Sequence, residues 1–350
     1  MAAGVPTVPT VPVPTDDDEV RDPAPQSDFV IGRGIKTRVL EKINYGSFGS
    51  IHRGILLETN EEVAVKLEAL KRNKHVQVLL GEGNILRHLE GGPGIPIVHW
   101  FGMYEPHYNG LVMEYLGPNL QELFAYCHRK FSIKTILLLF DQVVDIFRYV
   151  HGKGYVYRDV KPDNFVIGRG SKADELFIID FGLAKKLPTG MMLGSRFPSC
   201  RPPSPGCSNI GTPRYSSIRA HDTSDLGPSD DLEAFAYVCV YLFRGSLPWQ
   251  GLRFEDPLEK RARIKQLKVE MTTCQGMPDE FSAYLQYVRS GAPANMPDHV
   301  HIKHMFQKLA AKSGIEYDFR FDWVTQKEET GEDCESRGHT DHGHGSTSPC

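Results

Sequence analysis

From Thr37 to Leu67 apolar and polar residues alternate, with Gly46, Gly49 and Gly54 as the breaks. Period-two alternation marks a half-buried strand, so VLEKI, SIHRGIL and EEVAVKL predict three successive strands. Over residues 76–89 the apolar positions Val76, Leu79, Leu80, Ile85, Leu86 and Leu89 fall near helical spacing and predict a helix. IPIVHWFG and GLVMEYL return to strand character. After Gly117 the period changes again: NLQELFAYC and IKTILLLFDQVVDIFRYVHGKG predict helices, the second ended by the breakers Gly152 and Gly154. The purely apolar run FAYVCVYLF, Phe235 to Phe243, is well short of the about 20 residues that cross a bilayer, and predicts a buried helix. Strands first and helices afterwards predict an α+β fold of two lobes. A small antiparallel sheet with one helix spans about 35–116, and a larger, mainly helical part spans about 117–326, with a cleft between them.

The two ends differ from this pattern. Residues 1–27 are a Val-Pro-Thr repeat followed by Asp16, Asp17, Asp18 and Glu19. Proline removes backbone donors and favours extended, solvated chain, so a disordered arm is expected ahead of a folded domain at 28–326. Residues 327–350 are polar and are expected to form a second disordered tail; His339, His342 and His344 read as its composition and not as a metal site. With 40 Lys+Arg against 44 Asp+Glu the net charge is −4, which sets aside a nucleic-acid partner, because the phosphate backbone asks for a basic surface. The 7 cysteines are odd in number and form no C-x-x-C pair, so neither a disulfide framework nor a structural zinc is expected, and a reducing compartment, cytoplasm or nucleus, fits them. MAAGVPTVPT lacks the basic-then-apolar pattern of a signal peptide.

The chemistry is carried by YRDVKPDN, Tyr157 to Asn164, and by IIDFG, which places Asp180 sixteen residues beyond Asn164. Phosphoryl transfer needs positioning and charge neutralisation more than covalent chemistry, and these motifs hold the required groups. Asp159 stands where a base accepts the proton of a substrate hydroxyl, and Lys161 where a cation neutralises the moving phosphoryl group. Asn164 and Asp180 are the expected Mg²⁺ ligands, and Phe181 is expected to set the active or inactive arrangement. Upstream, VAVK puts Lys66 at the end of a strand, and Glu82, sixteen residues on, lies on the predicted helix; an ion pair between them would hold the ammonium against the α- and β-phosphates of ATP. The glycine loop is irregular. G-x-G-x-x-G becomes Asn44-x-Gly46-x-x-Gly49, with Asn44 expected to keep the turn by adopting positive φ.

GIPIVHWFG, GLVMEYLGPNLQELF, RKFSIKTILLLFDQV, YVYRDVKPDNFVIGRG, GTPRYSSI, SDDLEAFAYV, RGSLPWQGL and the closing YDFRFDW resemble the casein kinase 1 family over about residues 35–324. Ser217, Ile218 and Arg219 stand where most kinases have Ala-Pro-Glu, and Tyr157 with Arg244 resembles the gamma branch and the membrane-associated yeast members. The resemblance implies a monomeric bilobal Ser/Thr protein kinase that uses ATP and Mg²⁺; a scaffold that binds nucleotide without turnover is the alternative. It also implies the nucleotide pocket. Ile43 and Ile51 roof the adenine, Ala64 lines it and Met113 guards its back. Glu114, Tyr115 and Leu116 form the hinge, Val166 and Ile179 the floor, and Asn44, Gly46, Ser47 and Gly49 approach the phosphates. Asp231 matches the helix aspartate that anchors the catalytic loop. Protein substrates with acidic or already phosphorylated sites are implied partners, met by Arg214 and the backbone amides of Gly245 and Ser246, with Lys260, Arg261, Arg263 and Lys265 as a second basic cluster. Membrane contact is implied only if the terminal Cys350 carries a lipid. Three departures stand out. The segment after Asp180 is rich in Pro, Ser and Gly, Pro228 and Ser229 replace two arginines, and Gly83 interrupts the predicted helix at a cost of about 1 kcal/mol relative to Ala.

Overall fold

The computed structural model describes residues 29–32, 34–46, 49–70, 78–104, 108–187, 211–222, 225–291 and 296–331. The arm at 1–27, Ser47, most of the Pro-rich segment after Leu187, the three tail histidines and Cys350 lie outside the described residues.

The alternating stretches form one antiparallel sheet. Its strands are β1 (Phe29–Ile31), β2 (Thr37–Gly46), β3 (Gly49–Leu56), β4 (Glu62–Ala69), β5 (Val98–Tyr104) and β6 (Tyr108–Glu114), in the order β1-β2-β3-β4-β6-β5. β4 is apolar on both faces because both are covered. Val63, Val65 and Leu67 pack with Ile31, Val39, Leu56 and Val112 on one side. Successive side chains of a strand point to opposite faces, so Ala64 and Lys66 turn the other way, where Ala64 sits directly opposite Met113 of β6. The sheet begins earlier than the sequence pattern placed it, since β1 pairs with β2 and buries Ile31.

Helix α1 (Val78–His88) lies against this sheet. A Cβ built on Gly83 would come within 2.5 Å of the Phe101 ring of β5, so the glycine lets helix and strand close. The propensity cost of Gly83 is therefore offset by contact.

The second part is helical: α2 (Leu120–Tyr126), α3 (Ile133–Gly152), α4 (Pro228–Arg244), α5 (Pro257–Glu270), α6 (Asp279–Ser290), α7 (His299–Lys312) and α8 (Asp322–Thr330). Between α3 and α4 run short strands β7 (Tyr155–Val156), β8 (Phe165–Ile167), β9 (Leu176–Ile178) and β10 (Lys185–Lys186). The apolar run Phe235 to Leu242 is buried in α4, as its composition predicts, and no helix among the described residues is long and apolar enough to cross a membrane. Phe140 of α3 packs on Phe235, Phe281, Tyr284 and Phe306, joining α3, α4, α6 and α7 in one core.

Side chains cap the helices. Asn119 and Glu122 form a capping box on α2, and Ser132 caps α3. The Ser132 amide and hydroxyl both donate to Asp322 of α8, at 2.6 and 2.7 Å. The folded chain thus runs past residue 326. Gln326 donates to the carbonyl of Tyr126, and α8 continues to Thr330 instead of giving way to tail at 327.

Candidate functional site

The cleft between the sheet and the helical part gathers residues from β4, α1, β8 and the loops after β7 and β9. Lys66 Nζ donates to Glu82 Oε2 at 2.7 Å and to Asp180 Oδ1 at 3.1 Å. Burial works against the Lys66 ammonium, but Glu82 and Asp180 together outweigh it and hold its pKa above the ordinary value, so it stays charged. Asp180 is held at φ 63, ψ 70, a left-handed conformation that costs a non-glycine residue about 1–3 kcal/mol. Its neighbours fix it there. The Ile179 amide donates to Asn164 O at 3.0 Å, the Tyr157 hydroxyl donates to Ile179 O, and the Phe181 ring lies edge-on to Tyr157 at 5.2 Å. Burial, then the charges of Asp159 and Asp180, push the Tyr157 phenol well up, so it serves as a neutral donor.

Asp159 is 5% exposed and all its partners are donors. Lys161 Nζ reaches its Oδ2 at 2.6 Å, Asn164 Nδ2 the same oxygen at 3.1 Å, and the Thr212 hydroxyl its Oδ1 at 3.1 Å. The loop carrying Asp159 is anchored from α4. The Asp231 carboxylate accepts the Tyr157 amide at 2.7 Å and the Arg158 amide at 2.8 Å. It also pairs with His151 Nε2 at 2.9 Å, and His151 Nδ1 meets His299 Nε2 of α7 at 3.1 Å.

Asn164 spends its amide nitrogen on the Asp159 carbonyl and carboxylate, so only its amide oxygen suits a cation. Among the described residues no three His, Cys, Asp or Glu side chains converge to hold a metal unaided. Asp180 with the Asn164 oxygen fits Mg²⁺ that takes its remaining oxygens from phosphates and water.

Several residues expected around a nucleotide lie on the strands that flank Lys66. Ile51 lies opposite both Asn44 and Lys66 in the sheet register. Ile43 is 41% exposed, as a roof residue open to the cleft would be. Val166 is buried on β8, bridged to Asn119. No backbone carbonyl among the described residues takes the Leu116 N–H. The Glu114 carboxylate is engaged by Lys172 at 2.5 Å, which ties the linker between the lobes to the helical part. Gly46 and Gly49 are paired at the tip of β2 and β3. Asn44 corrects an expectation. It stays in β2 beside a register shift and is absent from the positive-φ residues described, so the irregular pairing and not a left-handed turn accommodates it.

The substrate side needs two further corrections. Gly245 closes α4 with φ 85, and its amide donates to Tyr241 O at 2.9 Å, so that N–H is already used and does not serve an anion. Three of the four basic residues expected as a cluster on α5 are engaged with neighbouring groups. Arg261 Nη2 donates to Ala220 O at 2.6 Å, Lys265 pairs with Asp222 at 2.7 Å, and Arg263 lies 3.8 Å from Glu270. Arg214 is exposed, with its guanidinium over the Tyr215 ring, and among the described ion pairs none includes it. Ser246 is exposed beside the α4 terminus.

Sequence reasoning missed Thr212, Lys268 and His299. Thr212 sat in the quoted GTPRY stretch, where only Arg214 was given a role. Lys268 was hidden in a charged helix, and His299 lies 148 residues from its partner His151. A family model for the protein kinase domain matches residues 37–297 of this chain.

Proposed function

The chain belongs to the protein kinase family, and on that premise we propose that it is a Ser/Thr kinase of the casein kinase 1 kind, acting on hydroxyls that lie near an acidic or phosphorylated residue. The observation that carries this reading is the hydrogen-bond set of Asp159. One oxygen is held by Lys161 and Asn164, and the other by Thr212, so the carboxylate is fixed and kept as an acceptor.

In the reaction the substrate hydroxyl oxygen forms a bond to the γ-phosphorus of ATP as the bond to the bridging oxygen breaks and ADP departs. Asp159 takes the hydroxyl proton. Lys161, 2.6 Å from Asp159, lies where the transferring group gathers negative charge. Lys66, kept charged by Glu82 and Asp180, would meet the α- and β-phosphates, while Asp180 and the Asn164 oxygen would hold Mg²⁺. When bound, the metal neutralises charge on the β- and γ-phosphates.

Lys66, Glu82, Asp159, Asn164 and Asp180 stand together without a gap, which supports turnover over a scaffold role. Specificity for acidic or primed sites rests on exposed Arg214 and on the resemblance of the GTPRYSSI and RGSLPWQGL stretches. The test is Mg-ATP turnover on casein and on a peptide carrying a phosphoserine, with Lys66→Met and Asp159→Asn beside the native chain. Each variant should lose about a thousandfold or more in kcat while its melting curve stays cooperative. Near-native turnover by purified Asp159→Asn would sink the assignment.

A further inference from the structure

Lys268 is the most deeply buried lysine among the described residues, 0% exposed at the last turn of α5. Burial lowers its pKa to about 7, and a buried amino group is costly unless its N–H donors find acceptors. Here the acceptors are the Ser216 carbonyl at 2.6 Å, the Pro213 carbonyl at 2.7 Å and His221 Nε2 at 3.2 Å, with the Ser216 hydroxyl at 3.4 Å. The rings of Tyr237 and Trp249 flank it at 5.2 and 5.4 Å. None of the described ion pairs gives it a carboxylate. Glu233, the nearest acid to act on it, is spent on Tyr237, Arg289 and the Ile218 amide.

What this amino group holds is backbone. Pro213 and Ser216 bracket Arg214, and the carbonyl of Arg214 itself accepts the Trp249 indole N–H at 2.7 Å. The Thr212 carbonyl takes the amides of Tyr215 and Ser216, and the Thr212 hydroxyl reaches Asp159. The backbone from Thr212 to Ser216 is therefore fixed from beneath, while the Arg214 side chain is left exposed beside the reacting centre. Arg261, Lys265 and Lys268 lie on one face of α5, at i, i+4 and i+7, and all three dock on the chain between Pro213 and Asp222.

We infer that Lys268 is a positioning residue for the protein substrate: the hydrogen bonds of its amino group set the shape of the Thr212–Ser216 segment and so the place where Arg214 meets the peptide. The inference rests on the kinase reading above. It separates peptide binding from nucleotide binding, because none of the residues Lys268 touches lines the nucleotide cleft.

The experiment measures KM for a phosphoserine-primed peptide and KM for ATP in the native chain, Lys268→Met and Trp249→Phe. Methionine preserves the length of the side chain and removes its donors. Lys268→Met should raise the peptide KM about ten- to a hundredfold and leave the ATP KM within about twofold. Trp249→Phe, which removes the donor to the Arg214 carbonyl together with part of the ring beside Lys268, should show the same split at about three- to tenfold, and decides the matter if Lys268→Met does not fold. A native chain that turns over, with variants whose peptide KM is unchanged or whose two KM values rise together, overturns this inference alone. A native chain that transfers no phosphate overturns the kinase reading and this inference with it.

Discussion

The catalytic loop and the Thr212–Ser216 segment touch through Thr212 and Asp159, yet they are held by opposite means. Beneath the catalytic loop a buried carboxylate, Asp231, accepts two backbone amides. Beneath the neighbouring segment the buried amino group of Lys268, whose pKa burial lowers to about 7, donates to two backbone carbonyls. Each group has a histidine behind it: His151 and then His299 for Asp231, His221 for Lys268. Backbone dipoles rather than opposite charges satisfy both groups. A buried polar group held by backbone fixes main-chain position and leaves the neighbouring side chains, Asp159 in one case and Arg214 in the other, outside the anchor.

The comparison breaks most severely at Asp231. An asparagine has one acceptor oxygen where the carboxylate has two, and its NH₂ opposes either a backbone amide or the His151 ring. Asp231→Asn should therefore let the loop shift and lower kcat about a hundredfold, with little change in either KM. Single-turnover rates with saturating ATP and peptide check this. If Asp231→Asn raised the peptide KM instead, the two grips would be serving the same step and the contrast between them would fail.

Arg214→Ala tests the other side with a smaller effect. A charge-assisted contact with a phosphate contributes about 1.5–3 kcal/mol, so kcat/KM on a primed peptide should fall about tenfold to a hundredfold. An unprimed peptide should hardly respond, and added salt should narrow the gap, because Arg214 is exposed. Equal losses on both peptides would make Arg214 structural and place anion recognition elsewhere.

The same contrast explains what the sequence revealed. The bilobal layout was legible because alternation and helical spacing follow directly from which faces are covered, as in β3 and α3. Asp159, Asn164 and Asp180 were legible because each stands at a fixed place in a short motif, and Asp231 through the resemblance to the casein kinase 1 family. Lys268 was not: EKRARIKQLK reads as a solvated helix face, and only the fold shows that Arg261, Lys265 and Lys268 turn inward. For the same reason the four-residue cluster at 260–265 looked like an anion site. The Gly245 amide was misjudged because its helix claims it, a bond visible only once α4 is seen to end there. Long-range partners carry no local signal.

His299 gives the smallest and most specific test of the acid side. Its ring is kept neutral: burial first, and then His151 beside it, push it down to about 3 from an ordinary value of about 6.5. The unfolded chain takes up a proton below pH 6.5 that the folded chain refuses, so stability is complete above that pH and falls as the pH drops toward 3. The slope is about 1.4 kcal/mol per pH unit, or about 2 kcal/mol by pH 5. Asp230, whose carboxyl burial raises to about 6, favours the folded state as the pH falls through the same window, and His221, pushed down to about 3, opposes it. Both contributions are shared by any variant at position 299 and cancel in a difference. His299→Gln keeps an N–H for His151 and cannot titrate. Its kcat at pH 7.5 should stay within about twofold of native, while native Tm should drop about 3–6 °C more than the variant's between pH 7 and 5. Parallel Tm curves would show that His299 accepts a proton in the folded chain. A large loss of kcat at pH 7.5 would show instead that an amide does not replace the ring, and that the contact to His151 demands imidazole geometry as well as a donor.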